Sequence, residues 1–125
     1  MNRTVNQSEQ FVYKICRGSF LSLWSYANPK SRNHGKELCD ILVVCDPDII
    51  IFSVKEIELK DSGIVTTDLS RWQRRAIGGS VKQIYGAERS IENTAHVIRN
   101  NGTLGLALPT HPTRRIHRIG AMPLT

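Results

Sequence analysis

Apolar and polar residues follow one another along the chain in patterns that predict six elements in the order α-β-β-β-α-β. Apolar residues at helical spacing predict a first helix over about 8–17. The following stretch, 19–26, alternates apolar residues with serines, and this period of two predicts a strand. Two runs rich in β-branched residues, 37–45 and 49–55, flank an Asp-Pro-Asp turn and predict a hairpin.

The hairpin and the helix after it carry the clearest patterns. Both hairpin strands are continuously apolar, which is typical of strands covered on both faces of a sheet. Apolar residues spaced by three and four predict a long helix over about 69–97, in which Gly78-Gly79 predicts a kink, a break or very close packing. Alternation over 115–119 predicts the last strand. The helix side predicted to pack on the sheet carries Trp72, Ala76, Ile77, Ser80, Ile84, Ala87 and Ile91.

Length and composition restrict the class of protein. The chain has 125 residues, of which 40% are apolar and 22% charged, so we expect one globular domain over 1–125. No apolar run approaches the roughly 18 residues of a membrane helix, and the N-terminal residues lack the apolar segment of a signal peptide. Three cysteines in apolar surroundings favour a reducing compartment over a disulfide framework. We therefore expect a cytoplasmic protein without a membrane partner.

Positive charge is in excess, because 17 Lys and Arg against 11 Asp and Glu give a net charge of +6. Such an excess is compatible with a polyanionic partner such as DNA or RNA. Four basic residues recur on the long helix at spacings that place them on one stripe. This basic stripe predicts a ridge that faces phosphates, and the alternative is a solvated helix face. Its members are Arg71, Arg75, Lys82 and Arg89.

Asp40 lies within an apolar run, Leu-Cys-Asp-Ile-Leu-Val-Val-Cys, where an ionised carboxylate is costly unless a cation accompanies it. A hairpin turn centred on Pro47-Asp48 sets Asp40 directly opposite Lys55, whereas a slip of one residue moves the two to opposite faces. Ser53 then lies one pair inward on the same face. We therefore predict that Asp40 and Lys55 share a face, either at a metal-binding site or as a structural ion pair.

An Asp on one strand and a Lys at the end of the next, on one face, resembles the arrangement of the PD-(D/E)XK nuclease superfamily. Over about residues 8–119 the resemblance implies a restriction-endonuclease-like α+β fold: a three-layer αβββαβ core with a central mixed sheet. Asp40 matches the first acid of the motif and Lys55 its lysine, whereas Ser53 replaces the middle acid. The segments SFLSLWSYANP, GKELCDILVV and KQIYGAERSI also resemble stretches of longer, uncharacterised bacterial proteins, which supplies no function.

The resemblance implies a site for Mg²⁺ or Mn²⁺, because phosphodiester hydrolysis uses a metal held by carboxylates and a carbonyl. Asp40 and the Val54 carbonyl would bind the metal, and Lys55 would position water or stabilise developing charge. Either Glu9 on the first helix or Glu37 would complete the ligand set. Ideal strand alternation, however, points Glu37 to the opposite face from Asp40.

Position 53 and the second helix modify this candidate site. A serine hydroxyl is a neutral substitute for a carboxylate, so Ser53 predicts weak metal affinity. Lys82-Gln83 on the helix resembles the polar residue that several nuclease families add to the site. Gln83 therefore joins the candidate nucleic-acid-binding residues.

We interpret the chain as a nuclease-like protein, a Mg²⁺-dependent endonuclease that hydrolyses DNA or RNA phosphodiesters. The alternatives on the same fold are a catalytically inactive nucleic-acid-binding module and a protein-interaction subunit. Nuclease domains usually add an element after the last strand, so we expect a member of the family truncated at its C-terminus. An exposed sheet edge would then allow homo-oligomers.

Overall fold

A computed structural model shows two helices and six strands within the residues it describes, which are 7–32, 35–55 and 66–121, without the side chains of 20–23, 66–70 and 72. In chain order the elements are α1 (Gln7–Trp24), β1 (Ser25–Ala27), β2 (Ile41–Cys45), β3 (Asp48–Val54), α2 (Thr66–Ile91), β4 (His96–Ile98), β5 (Leu104–Ala107) and β6 (Arg115–Ala121). No helix in this described part has the length and apolar character needed to cross a bilayer.

The strands form a mixed sheet of four and a separate pair. The four-stranded order is β1-β2-β3-β6, with antiparallel pairing from β1 to β3 and parallel pairing between β3 and β6. A parallel neighbour requires a crossover connection, and α2 lies in that connection. The antiparallel pair β4-β5 follows α2 and precedes β6 along the chain, and it was not predicted from the sequence. The predicted mixed α+β class is therefore confirmed.

The two helices cover opposite faces of the sheet. Val12 and Cys16 of α1 pack in a cluster with alternate residues of β2 and β3, which include Ile41 and Phe52. The intervening residues of the same strands pack in a second cluster with Ile84, Ala87 and Ile91 of α2. Burial on both faces explains why the two hairpin strands are continuously apolar.

Helix α1 is longer than predicted, and the predicted strand over 19–26 is wrong for most of its length. Residues 19–24 are helical, and only Ser25–Ala27 form a strand. Phe20, Leu21 and Trp24 fit a helical spacing as well as they fit alternation, so this short run does not distinguish the two periods.

Helix α2 ends earlier than predicted, at Ile91 rather than near 97. Thr94 satisfies the last turn, because its hydroxyl donates to the Ser90 carbonyl at 2.8 Å and its amide donates to the Ile91 carbonyl at 3.1 Å. The helix runs through Gly78-Gly79 without a break. The predicted sheet-facing residues are buried where their side chains are described, except Ile77, which is exposed, and Trp72 lies outside the described side chains.

The hairpin register differs from the predicted one by two residues. Cys45 pairs with Asp48, and Asp46-Pro47 forms the two-residue turn with a cis peptide bond. Proline therefore occupies the third turn position rather than the second, which moves the turn centre by one residue. A shift of two residues leaves every side chain on the sheet face that was predicted for it. If the pairing of Ile41 with Phe52 is extended by one residue, Ser53, rather than Lys55, lies opposite Asp40.

Candidate active site

Three carboxylates converge at the end of the sheet where β2 begins. Glu9 lies on α1, Glu37 lies in the segment before β2, and Asp40 immediately precedes β2. Carboxylate oxygens of the three residues all lie within 4.8 Å of one another. Glu9 and Asp40 are buried, with only 1% and 3% of their surfaces exposed. Both candidate completing acids therefore lie beside Asp40.

Glu37 reaches this position because it lies outside the strand. Strand β2 begins at Ile41, so strand alternation does not apply to Glu37, and the expectation that it points to the opposite face is wrong. It instead forms a β-bridge with Lys30, and its carboxylate accepts a hydrogen bond from the Asn28 side-chain amide.

Asn28 is a residue of this site that sequence reasoning missed. Its backbone amide donates to the Asp40 carbonyl at 2.8 Å, while its side chain binds Glu37. It is buried and has a φ of 47°, a left-handed conformation that asparagine tolerates better than most residues. Its place in a turn-rich segment was the available sequence signal.

Asp40 is held by the end of β3 and by α2. Its Oδ2 accepts the Val54 backbone amide at 2.6 Å, and its Oδ1 accepts the Gln83 side-chain amide at 3.4 Å. The amide and carbonyl of one strand residue point to the same side of the strand, so the Val54 carbonyl also leaves β3 toward Asp40. Strand geometry therefore puts the Val54 carbonyl on the side of β3 that faces the segment of Asp40.

Ser53 belongs to a buried polar row rather than to the carboxylate cluster. Its hydroxyl donates to the Gln83 side-chain oxygen and lies 3.2 Å from the Ser80 hydroxyl. Gln83 in turn donates to Asp40, so it links Ser53 to the site. This contact brings Gln83 of the second helix to Asp40.

Lys55 follows β3 and lies on the α2 side of the sheet. Ser53 and Lys55 alternate with Val54 along the chain, and Ser53 contacts α2. A Cβ placed on Gly79 of α2 would lie 3.7 Å from Lys55 Cε and 3.9 Å from its Nζ. Both distances are ordinary van der Waals contacts, and a Cβ on Gly78 would contact nothing, so the very close packing predicted at Gly78-Gly79 is not observed. Asp40 also contacts α2, through Gln83, while its carboxylate lies within 4.8 Å of that of Glu9 on α1.

Burial and the two neighbouring acids act together on Cys39. Burial is the main factor that raises the pKa of the Cys39 thiol well above its usual value, and the charges of Asp40 and Glu37 raise it further. The thiol donates to the Ile41 carbonyl at 3.4 Å. Cys39 therefore stays a neutral thiol next to the cluster, and oxygen atoms are the ligands available there.

A basic cleft adjoins the carboxylate cluster. It has a volume of about 520 Å³, lies between α2 and a facing segment that contributes residues 31–32 and 36–38, and reaches Glu37 and Gln83. Arg71, Arg75, Lys82 and Arg89 are all exposed, as the basic stripe predicts. Two of them line the cleft together with two cations from the facing segment. The four basic residues of the cleft are Arg32, Lys36, Lys82 and Arg89.

Comparisons of the chain with protein-family models, with curated protein sequences and with solved structures find no match.

Proposed function

We propose that the protein is a nuclease-like hydrolase that cleaves DNA or RNA phosphodiesters with the help of Mg²⁺ or Mn²⁺. The observation that carries this proposal is the convergence of Glu9, Glu37 and Asp40 beside the end of β3, which bears Val54 and Lys55. The αβββαβ order of the main sheet and its flanking helices also agrees with the restriction-endonuclease-like fold that the resemblance implies.

The donor set fits a hard divalent cation. Mg²⁺ and Mn²⁺ prefer carboxylate and carbonyl oxygens over thiols and imidazoles. The 4.8 Å limit on the spacing of the three carboxylates is comparable with the width of such a coordination sphere, roughly 4–5 Å between opposite ligands. Glu9, Glu37, Asp40 and the Val54 carbonyl would hold the ion, which would neutralise phosphate charge and favour ionisation of a bound water.

The residues around this set orient it and add positive charge. Hydrogen bonds from Val54 and Gln83 fix the Asp40 carboxylate, so its oxygens need little reorganisation to bind. Lys55 lies against α2 on the same face and would stabilise negative charge that develops on the phosphate. The cations of the basic cleft would hold the flanking phosphates of the polymer.

The surroundings of Ser53 favour a second candidate function. Its side chain is fully buried and hydrogen-bonded to Gln83, so the position where the resemblance expects an acid supplies no charge. A site weakened in this way would leave a nucleic-acid-binding module that does not cleave. The sequence-based expectation of weak metal affinity belongs to this alternative.

Cleavage assays with Lys55→Ala test the proposal. Labelled DNA and RNA are incubated with Mg²⁺ or Mn²⁺ and the wild-type protein, Lys55→Ala, or Lys14→Ala as a control on an exposed lysine of α1. We expect metal-dependent cleavage by the wild type and the control, and a loss of roughly 100-fold or more in Lys55→Ala. Equal cleavage by Lys55→Ala would remove the lysine from the mechanism. Binding without any cleavage by the wild type would favour the inactive module.

A further inference from the structure

Strand β6 lies at one end of the four-stranded sheet, and its outer edge has the hydrogen-bonding groups of a strand. The Arg115 amide donates to the Pro47 carbonyl, and the Ala121 carbonyl accepts the Lys55 amide. The odd-numbered residues of β6 therefore point their backbone groups at β3. Backbone groups of Ile116, Arg118 and Gly120 point outward, and no strand of the described residues pairs with them.

An apolar stripe on α2 borders this edge. Ile77, Val81 and Tyr85 recur every four residues, and 46–52% of each residue's surface is exposed. The guanidinium of Arg118 lies 5.5 Å from the centre of the Tyr85 ring, which places the stripe on the β6 side of the helix. Gln83 and the lining of the basic cleft lie on the other side.

A second apolar patch lies on the α1 side of the same edge. Tyr13 lines a cleft with the residues of β1, and Phe11 and Ile15 lie on the other side of the buried Val12. Both are more than half exposed. Ile119 of β6 pairs with Phe52 on this face and is also exposed. Exposed apolar side chains thus border β6 on both faces of the sheet: the α2 stripe on one and Ile119 on the other.

The basic residues of β6 are neutralised within the chain. Arg118 binds both carboxylate oxygens of Glu88, at 3.0 and 2.6 Å. Arg115 and His117 both bind Asp48, each at 2.9 Å. Hydrogen bonds from His117 and then Arg115 lower the pKa of Asp48, so this partner stays charged at neutral pH. The β6 edges of two copies therefore repel each other less than the net charge of +6 on each chain suggests.

From this arrangement we infer that a second copy of this chain docks on the β6 edge, antiparallel to it and related by a twofold axis. The two four-stranded sheets then continue as one sheet, and the α2 stripes of the two copies pack against each other. An isologous contact of this kind presents the same patch twice, which suits an edge whose charges are already paired. It satisfies the outward backbone groups and covers the apolar residues that border them.

A polyanion fits this edge less well than a second copy does. Nucleic acid binds through exposed cations, and four basic residues line the cleft on the other side of α2. Exposed apolar side chains with neutralised charges instead match a protein surface of the same composition. The inference is independent of the proposed catalytic function, because it uses no residue of the candidate site.

The oligomeric state in solution tests the inference. Sedimentation equilibrium is measured for the wild type, for Val81→Lys and for Gly120→Pro, which removes an outward-pointing amide. Leu104→Lys is the matched control, because Leu104 is a large apolar residue with 64% of its surface exposed and lies on β5, away from the edge. We expect the wild type and Leu104→Lys to form dimers, and the two edge variants to raise the dissociation constant at least about tenfold.

Circular dichroism shows whether a variant that no longer dimerises is still folded. If Gly120→Pro unfolds, Val81→Lys alone tests the interface, since Val81 is exposed within a helix. A wild type that stays monomeric at about 100 μM would overturn the inference, as this exceeds the dissociation constants of ordinary specific dimers. A dimer that Val81→Lys leaves unchanged would overturn it as well. Equal weakening by Leu104→Lys would place the contact elsewhere.

Discussion

Ser53 occupies the position at which the resemblance expects an acid. The residue is fully buried, and its hydroxyl contacts the side chains of Ser80 and Gln83. Gln83 spans from this hydroxyl to Asp40, so a change at position 53 reaches the carboxylate cluster through one side chain. Position 53 therefore affects both the packing beneath α2 and the orientation of Asp40.

Ser53→Glu separates these two effects when it is compared with Ser53→Gln, which has the same size and no charge. Both variants overpack the site, and we expect each to lower the free energy of unfolding in EDTA by about 1–3 kcal/mol. Only the glutamate adds a charged oxygen, so we expect calorimetry to show Mn²⁺ binding about tenfold tighter than in Ser53→Gln, or ~1.4 kcal/mol. Equal affinities would show that position 53 does not reach the ion.

At the scale of single residues, the sequence was sufficient where the alternation of a strand decides which sheet face a side chain occupies. The predicted and observed registers differ by two residues, which preserves the faces, and Asp40 and Lys55 both contact α2. Sequence reasoning failed at Glu37, because the start of β2 could not be fixed to within a residue. The role of Asn28 depends on contacts with Glu37 and Asp40 that no local pattern reveals.

Helix α2 presents different chemistry on its two flanks. One flank contributes Lys82, Gln83 and Arg89 to the basic cleft, and the other carries the exposed apolar stripe beside β6. All four cations of the predicted basic stripe are exposed. Lys82 and Arg89 line the cleft, whereas Arg71 and Arg75 are not among its lining residues. The cleft residues are therefore the sharper targets for nucleic-acid binding.

Charge reversal in the cleft tests this binding without any cleavage. We expect Lys36→Glu with Arg89→Glu to weaken binding of a labelled oligonucleotide in EDTA by tenfold or more, as ~2.8 kcal/mol is available from two lost phosphate contacts. The slope of log affinity against log salt should fall in magnitude by about 1.5. Lys14→Glu with Arg74→Glu, on exposed residues outside the cleft, is the control. Equal weakening by both pairs would assign the effect to net charge alone.

Elements with long and regular patterns were predicted well, and short ones were not. The hairpin and most of α2 agree with the sequence, because continuous β-branched runs and a helical repeat of many turns leave little ambiguity. Strands β1 and β4 have three residues each, and β5 has four. Strands this short contain too few residues to show a period, and their pairing depends on tertiary contacts.

The carboxylate cluster joins distant parts of the chain. Glu9 comes from α1, whereas Glu37 and Asp40 come from the segment that leads into β2. Sequence spacing alone does not bring the first helix to this place, and the position of Glu9 was expected only from the resemblance. An ion bound by all three residues would link α1 to the end of the sheet where β2 begins. The free energy of ion binding would then add to the stability of the whole fold.

Thermal unfolding in Mn²⁺ tests whether the cluster acts in this way. An ion at about 100 times its dissociation constant stabilises the folded state by ~2.7 kcal/mol, which raises the Tm of a domain of this size on the order of 10 °C.

We expect this rise in Tm in the wild type and its loss in Glu9→Gln, because the variant keeps the shape of the side chain and removes one charge. Glu92→Gln is the control, since Glu92 is exposed and its closest cation, Arg114, is 3.9 Å away. The rise is read as the difference between Mn²⁺ and EDTA for each variant, so any direct effect of the substitution on stability cancels. A wild type that Mn²⁺ does not stabilise, or a Glu9→Gln protein that it stabilises equally, would show that the three carboxylates do not hold an ion together.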